Sequence, residues 1–263
     1  MEKLSLQEIK ERELSILVKI DNFCKENAIR YSLAGGTLLG AIRHKGFIPW
    51  DDDVDICMPR PDYERFVRIF RADGLSVKSL SVNNWDSPYA KVIDEGTLVN
   101  CYNNDDDDKL WIDIFPIDGL PSDKDKVKKI YQKAYIYRML FLGAKAKLGT
   151  GSTLLRKYMK YPLYLIGKIT GRDYFARKLD KLARQIDYDS AEYCGAITWG
   201  IYGTGERMLK EEFEQYIQVE FAGKYFSAYS CWDTYLRGLY GDYMKLPPVE
   251  KRKTHGIEVY TKE

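Results

Sequence analysis

Net charge is what this chain has least of. Forty-one Lys and Arg against 39 Asp and Glu leave +2 over 263 residues, which excludes a uniformly basic nucleic-acid binder and an acidic disordered tail. Cysteine pairing is also missing. The five cysteines (Cys24, Cys57, Cys101, Cys194, Cys231) are odd in number, stand 33 or more residues apart and form no C-x-x-C pair. That argues against a disulfide framework or a zinc site and for reduced, cytosolic thiols. Long apolar runs are absent, since the stretches at 139–144 and 161–167 fall far short of the roughly 20 residues that cross a bilayer. The start, Met1-Glu2-Lys3-Leu4-Ser5-Leu6-Gln7-Glu8, lacks the positive end and apolar core of a secretory leader, so a cytoplasmic protein is expected. No internal repeat or long low-complexity tract occurs. What is present, 45% hydrophobic and 14% aromatic residues, suffices for a buried core in one large domain or a domain with a subdomain.

The balanced total hides a segregation. Residues 124–184 hold 17 Lys and Arg against Asp125, Asp173 and Asp180, a local charge of +14, and the remainder carries −12. The expected organisation is a catalytic core over 1–122, a basic helical segment over 123–186 and an aromatic-rich part over 187–263 that completes the catalytic domain.

Hydrophobic spacing gives a helix over about Ser5 to Asn27, through Ile9, Ile16, Leu17, Ile20, Phe23 and Cys24. A short strand at Ile29 to Leu33 ends at Gly35-Gly36, and a helix over Thr37 to Arg43 follows. Asp53 to Met58 alternates like a half-buried strand, after which Asp62 caps a helix reaching about Arg71. Further strands are expected at Tyr89 to Ile93, Thr97 to Tyr102 and Leu110 to Phe115, with a turn-prone acidic connection at 103–108 and a stop at Pro116. Helices fill 123–186 with breaks at 149–151 and Gly171, and two more fall near Lys210 to Glu214 and Cys231 to Tyr240.

Three features in and just beyond the first half carry chemistry. Gly35-Gly36-Thr37 at a strand-to-helix turn can present backbone N–H groups and a helix dipole to an anion, although an ordinary tight turn has the same sequence. Asp53 and Asp55, two apart on a strand, share a face and suit a hard cation such as Mg²⁺; a solvated strand face reads the same way. Asp113 lies between Ile112 and Ile114, too apolar a setting for an unpartnered carboxylate. If its strand neighbours that of Asp53 and Asp55, three carboxylates meet, an arrangement suited to metal-assisted phosphoryl transfer.

The run from Leu33 to Ile56, with Gly35-Gly36-Thr37, Arg43-His44-Lys45-Gly46, Pro49-Trp50 and Asp51-Asp52-Asp53-Val54-Asp55 in order, resembles the LicD family of phosphotransferases in the nucleotidyltransferase-fold superfamily. Trp111 to Asp118 and Leu239 to Pro248 are similar to later family segments, so the likeness spans most of the chain outside the basic block. The resemblance implies an α+β fold, a nucleotidyltransferase-like mixed sheet flanked by helices, here with a basic helical insertion. It implies transfer of phosphocholine from CDP-choline to a hydroxyl of a lipid-linked glycan precursor, of the teichoic acid or lipooligosaccharide type, with release of CMP. It also matches Gly35, Gly36, Asp53, Asp55 and Asp113 to the superfamily motif, with Mg²⁺ or Mn²⁺ as cofactor.

On this basis Asp53 and Asp55 are assigned to the metal, and Asp113 to metal, base catalysis or both. Gly35, Gly36 and Thr37 are assigned to donor phosphate oxygens. Arg43 and His44 can neutralise a diphosphate, and Lys91 can reach the same phosphates or be a solvated strand lysine. Asp51 and Asp52 serve a turn or support the metal residues, Asp118 forms a turn, and His255 contacts an anionic acceptor or has no role. The 21 Tyr and 5 Trp could supply an aromatic cage for choline, with core packing as the competing use, and no residue is singled out. The basic block either lies on an anionic membrane face, grips a polyanionic lipid-linked acceptor, or is a solvated face. Other phospho-alditol or phospho-sugar donors are the nearest alternative; a nucleic-acid-binding module leaves the three aspartates unexplained.

Overall fold

The computed structural model describes residues 1–83, 85–100, 109–145, 161–162, 164–167, 169–171, 173–252, 254 and 256–262. Cys101, Tyr102, the 103–108 connection, the 149–151 break, Lys147, Arg156, Lys157, Lys160, Lys168 and His255 lie outside the described residues.

Helix α1 (Leu6–Glu26) begins where the sequence places it, because Ser5 and Glu8 form a capping box. Ser5 Oγ accepts the Glu8 N–H, and the Glu8 carboxylate accepts the Ser5 N–H at 2.7 Å. Its Ile9, Ile16, Leu17, Ile20 and Cys24 stripe enters the main core. Then come β1 (Ser32–Leu33), α2 (Gly35–His44), β2 (Asp55–Pro59), α3 (Arg60–Ile69), β3 (Leu75–Lys78), β4 (Ala90–Asp94), β5 (Thr97–Asn100) and β6 (Trp111–Leu120). The basic segment contributes α4 (Lys124–Lys145) and α5 (Tyr174–Ala183), the latter after Gly171, whose φ of +90° ends the preceding segment as expected. The remainder is β7 (Tyr193–Gly195), β8 (Met208–Leu209), α6 (Lys210–Phe213), β9 (Tyr216–Phe221), β10 (Lys224–Tyr229), α7 (Trp232–Tyr240) and β11 (Glu258–Thr261).

The fold is therefore α+β. Among the described residues the largest sheet has seven strands, in the order β1-β2-β6-β4-β3 with β7 and β8 continuing from β6. Only β2 and β6 are parallel; the other described pairs are antiparallel. Strand β6 does not stop at Pro116. Its antiparallel partner changes from β4, last paired at Ile114, to β7, first paired at Asp118. Pro116 sits in the gap between them, where its missing N–H costs no antiparallel bond.

Several expectations need correction. Asp53 precedes β2 rather than lying in it, and β1 is shorter than the expected strand from Ile29. Pro59 occupies the cap position of α3, while Asp62 accepts the Arg30 backbone N–H at 3.0 Å and Arg30 Nε at 2.8 Å. The β9–β10 hairpin was not foreseen because its turn is Ala222-Gly223, with φ of +51° and +74°. Alanine is an unusual occupant there; its N–H donates to Lys45 O at 2.8 Å, which ties the turn to the end of α2.

Asp118 is not a turn former. It is 1% exposed and accepts two bonds from Arg60, Nε at 2.6 Å and Nη2 at 2.9 Å. Arg60 Nη1 also donates to Asp180 of α5 at 3.0 Å, and Asp180 accepts Arg184 Nε at 2.7 Å. The main sheet and the basic segment are thus joined through an ion network centred on the buried Arg60–Asp118 pair. Asp118→Asn leaves Arg60 buried with half its partners, and the expected loss is about 3 kcal/mol of stability, read from the urea unfolding midpoint. An unchanged midpoint contradicts this role for the pair.

Candidate active site

The parallel register of β2 and β6 sets Asp55 beside Asp113, and the Asp113 N–H donates to Val54 O at 3.1 Å. Helix α2 locks the start of β2 from the other side. Ala34 N–H donates to Asp55 O at 3.0 Å, and Thr37 Oγ1 accepts the Asp55 N–H at 2.8 Å. Thr37 is buried and its hydroxyl holds the backbone of a site aspartate.

Strand β4 brings Lys91 opposite Asp113. Lys91 is only 4% exposed, which removes the solvated-lysine reading. Its Nζ stands 3.6 Å from Asp113 Oδ1 and 3.8 Å from the Trp111 ring centroid, while Trp111 Nε1 donates to Asp113 Oδ2 at 3.2 Å. Burial pushes the Asp55 carboxyl well above the usual range, Asp53, Asp113 and Asp51 push it further, and Lys91 opposes them.

Asp51, Asp53 and Asp55 line one cavity of about 350 Å³ with Gly35 and Gly36. The glycines are required by close approach. Gly35 has a φ of +49°, and a Cβ there would lie 3.3 Å from Asp55 Oδ2; a Cβ on Gly36 would lie 2.8 Å from Asp51 Oδ2. Asp52, beside them, is buried. Arg43 and His44 are not in this cavity lining. They sit at the far end of α2, about 12 Å along the helix from Gly35, where Arg43 Nε donates to His44 Nε2 at 2.9 Å and Nη1 to Tyr243 O at 2.7 Å.

The donor set fits a hard cation. Among the described residues no three His, Cys, Asp or Glu side chains form a ready-made ligand group. Mg²⁺ needs none, since it is commonly held by one or two carboxylates with phosphate oxygens and water. Asp53 and Asp55 are the pair that would hold it, and the mutual repulsion around Asp55 is what a cation would relieve.

Five aromatic side chains also line the cavity, among aliphatic ones: Phe115 from β6, Trp199 and Tyr202 from the loop before a 3-10 turn at Gly203–Glu206, and Tyr235 and Tyr240 from α7. Tyr235 Oη accepts the Gly35 N–H at 3.2 Å. A second cavity, of about 510 Å³, lies between α3 and α5 around Tyr63, Arg177, Asp180 and Arg184 and contains none of the site aspartates.

Two buried carboxylates at the site escaped the sequence reading. Glu13 of α1 is 1% exposed and pushed well upward by burial, then by Asp53, Asp52, Asp51 and Asp55; it had been hidden among the charges of an amphipathic helix. Glu206 lines the cavity and accepts the Tyr202 N–H at 3.2 Å. The signal for it was an acidic residue closing the glycine- and aromatic-rich run Trp199 to Glu206. Burial raises Glu206 from 4.5 to about 8, opposed by the Tyr202 N–H and the charge of Arg138.

A carboxyl raised on folding stabilises the fold fully below its unfolded value and loses that contribution as pH rises through the folded one. Glu206→Gln should therefore leave Tm unchanged near pH 4, gain on the wild type between pH 4.5 and 8, and hold a constant advantage above that. A pH series of thermal melts checks this, and a wild-type advantage at pH 9 contradicts it.

Comparison with known proteins agrees with this geometry. Residues 28–141 match the family described as LicD/FKTN/FKRP, nucleotidyltransferase domain, a span that includes α2, β2 and β6. The lipopolysaccharide cholinephosphotransferase LicD of Haemophilus influenzae is 32% identical over 268 aligned positions, covering 98% of each chain. An uncharacterized protein of Rickettsia typhi is 45% identical over 56 residues, 20% of this chain and 18% of its own. Another, from Rickettsia prowazekii, is 54% identical over 37 residues, 14% of each. With near end-to-end alignment to the Haemophilus protein, and with the glycine turn, Asp51, Asp53 and Asp55 at one cavity, the chain belongs to the LicD family of phosphotransferases.

Proposed function

We propose that this protein transfers phosphocholine from CDP-choline to a hydroxyl of a lipid-linked surface glycan precursor, of the lipooligosaccharide or teichoic acid type, and releases CMP. The observation that carries the reading is the convergence of Asp53, Asp55 and the Gly35-Gly36 helix start on one cavity, with Asp113 in register beside Asp55. The likeness to a lipopolysaccharide cholinephosphotransferase supplies the substrate class.

In the reaction the acceptor oxygen attacks the choline-bearing phosphorus, the bond to the bridging oxygen of CMP breaks, and the hydroxyl proton leaves to a carboxylate or water. Mg²⁺ or Mn²⁺ bound by Asp53 and Asp55 would neutralise charge on the phosphate oxygens. The N-terminus of α2 offers its dipole to the same oxygens. Asp113, braced by Trp111 Nε1 and faced by Lys91, completes the acidic set as a further ligand or as the proton acceptor, and Lys91 keeps it from adding an uncompensated charge. A nucleotidyltransferase-like core over β2, β6 and α2 is part of the same reading. Purified protein with CDP-choline, Mg²⁺ and a lipooligosaccharide acceptor should release CMP, and Asp53→Asn or Asp113→Asn should lower the rate by about a thousandfold. Normal turnover in those variants overturns the mechanism; turnover only with another CDP or GDP donor moves the reading to a different phospho-alditol or phospho-sugar.

The basic segment favours work at an anionic membrane face. Tyr135, Ile136, Met139 and Leu142 are exposed and share one stripe of α4, with Lys128, Lys129 and Lys133 exposed along the same helix. Leu165 and Ile169 are also exposed in this segment. No described helix is long and apolar enough to cross a membrane. Each basic residue near anionic lipid adds about 1 kcal/mol, so the protein should sediment with phosphatidylserine vesicles and not with phosphatidylcholine vesicles. Ile136→Glu with Met139→Glu should release it, and undiminished sedimentation contradicts the assignment.

A further inference from the structure

A trimethylammonium group carries a full charge and has no hydrogen to donate. It can be recognised by aromatic faces and by the field of a carboxylate, and hardly otherwise. The cavity that holds the aspartates supplies both.

Its aromatic wall is partly open. Trp199 and Tyr240 pack against core residues yet stay only half-buried, and Tyr202 is 39% exposed. The wall is also braced. Tyr202 meets Tyr240 edge-on with centroids 5.2 Å apart, and Tyr89 bridges Phe115 at 4.8 Å and Trp199 at 5.2 Å. The loop carrying Trp199 and Tyr202 is fixed from outside by Arg138 of α4, whose Nη2 donates to Gly200 O at 3.1 Å.

Glu206 is the second observation. It is 5% exposed, lines the cavity, accepts one backbone N–H from Tyr202 and forms no ion pair among the described residues. The charge of Arg138 is felt at Glu206, but that guanidinium is turned to Gly200 O and to the Trp199 ring, 6.0 Å from its centroid. A carboxyl buried at a cavity wall without an ion-pair partner is held in its neutral form, and a cation arriving beside it would draw it into the charged form and pair with it.

We propose that Phe115, Trp199, Tyr202 and Tyr240, with Glu206, form a cage for the quaternary ammonium head of the donor. The proposal rests on the phosphocholine reading for its substrate class and adds the residues that choose choline over a primary amine. A primary ammonium requires hydrogen-bond acceptors on several sides, and an aromatic wall offers few. The phosphate of the same donor falls to Asp53, Asp55 and the α2 start in the same cavity.

The test is calorimetric titration of the full-length protein with phosphocholine and with phosphoethanolamine, in wild type, Trp199→Leu, Tyr202→Leu and Glu206→Gln. Wild type should prefer phosphocholine by about tenfold or more; Trp199→Leu and Tyr202→Leu should lose most of that preference with little change toward phosphoethanolamine, and Glu206→Gln should weaken both ligands. Glu206→Gln is expected to fold at least as well as wild type at neutral pH, so a loss there cannot be laid to unfolding. Preference retained in both aromatic variants, or undiminished binding of both ligands to Glu206→Gln, overturns the cage. CDP-choline turnover in wild type with that preference retained leaves the transfer reading standing without the cage. Trp199-dependent phosphocholine binding without CDP-choline turnover keeps the cage and overturns the transfer reading. Absence of both overturns both.

Discussion

Two carboxylates at the same register of adjacent parallel strands repel one another in a buried setting, and the surroundings of Asp55 and Asp113 are organised by that repulsion. Strands lie only about 4.8 Å apart, so neither side chain can escape the other by small movements. Lys91 answers it from β4 and Trp111 Nε1 from the same strand. Thr37 fixes the backbone of Asp55, and α2 turns its positive end toward the acidic loop. Asp51, Asp53 and Asp55 open onto the cavity, and the repulsion among them is only partly offset by Lys91.

Asp113 was legible in the sequence because an aspartate between isoleucines announces a partner; Asp53 and Asp55 were read as one strand face, and they do line one cavity although Asp53 precedes β2. Their meeting was legible only as a condition, since nothing local states that β2 pairs with β6. Asp118 and Arg60 could not be read, because 58 residues separate them and the pair is made by a strand continuing through a proline. Lys91 looked solvated for the same reason: its burial comes from a neighbour, Trp111, on another strand. The β9–β10 turn was hidden by an alanine at positive φ, a conformation held by Lys45 O rather than favoured by the residue. Local chemistry was readable, and long-range partners were not.

Charge segregation along the chain now has a physical counterpart. The acidic remainder includes the cavity carboxylates, while the basic helices are anchored to the sheet through Asp180, Arg60 and Asp118. One of the basic residues is not at the surface at all. Arg138 is buried and spends its charge on the loop that carries Trp199 and Tyr202.

Helix α4 therefore has two duties. One stripe exposes Tyr135, Ile136, Met139 and Leu142, and Arg138 reaches Gly200 at the cavity wall. Arg138 stands one turn before Leu142, so it borders the exposed stripe rather than opposing it. Anything that shifts α4 along that stripe is thus one side chain removed from the loop that carries Trp199 and Tyr202, and the helix couples its own surface mechanically to the cavity wall.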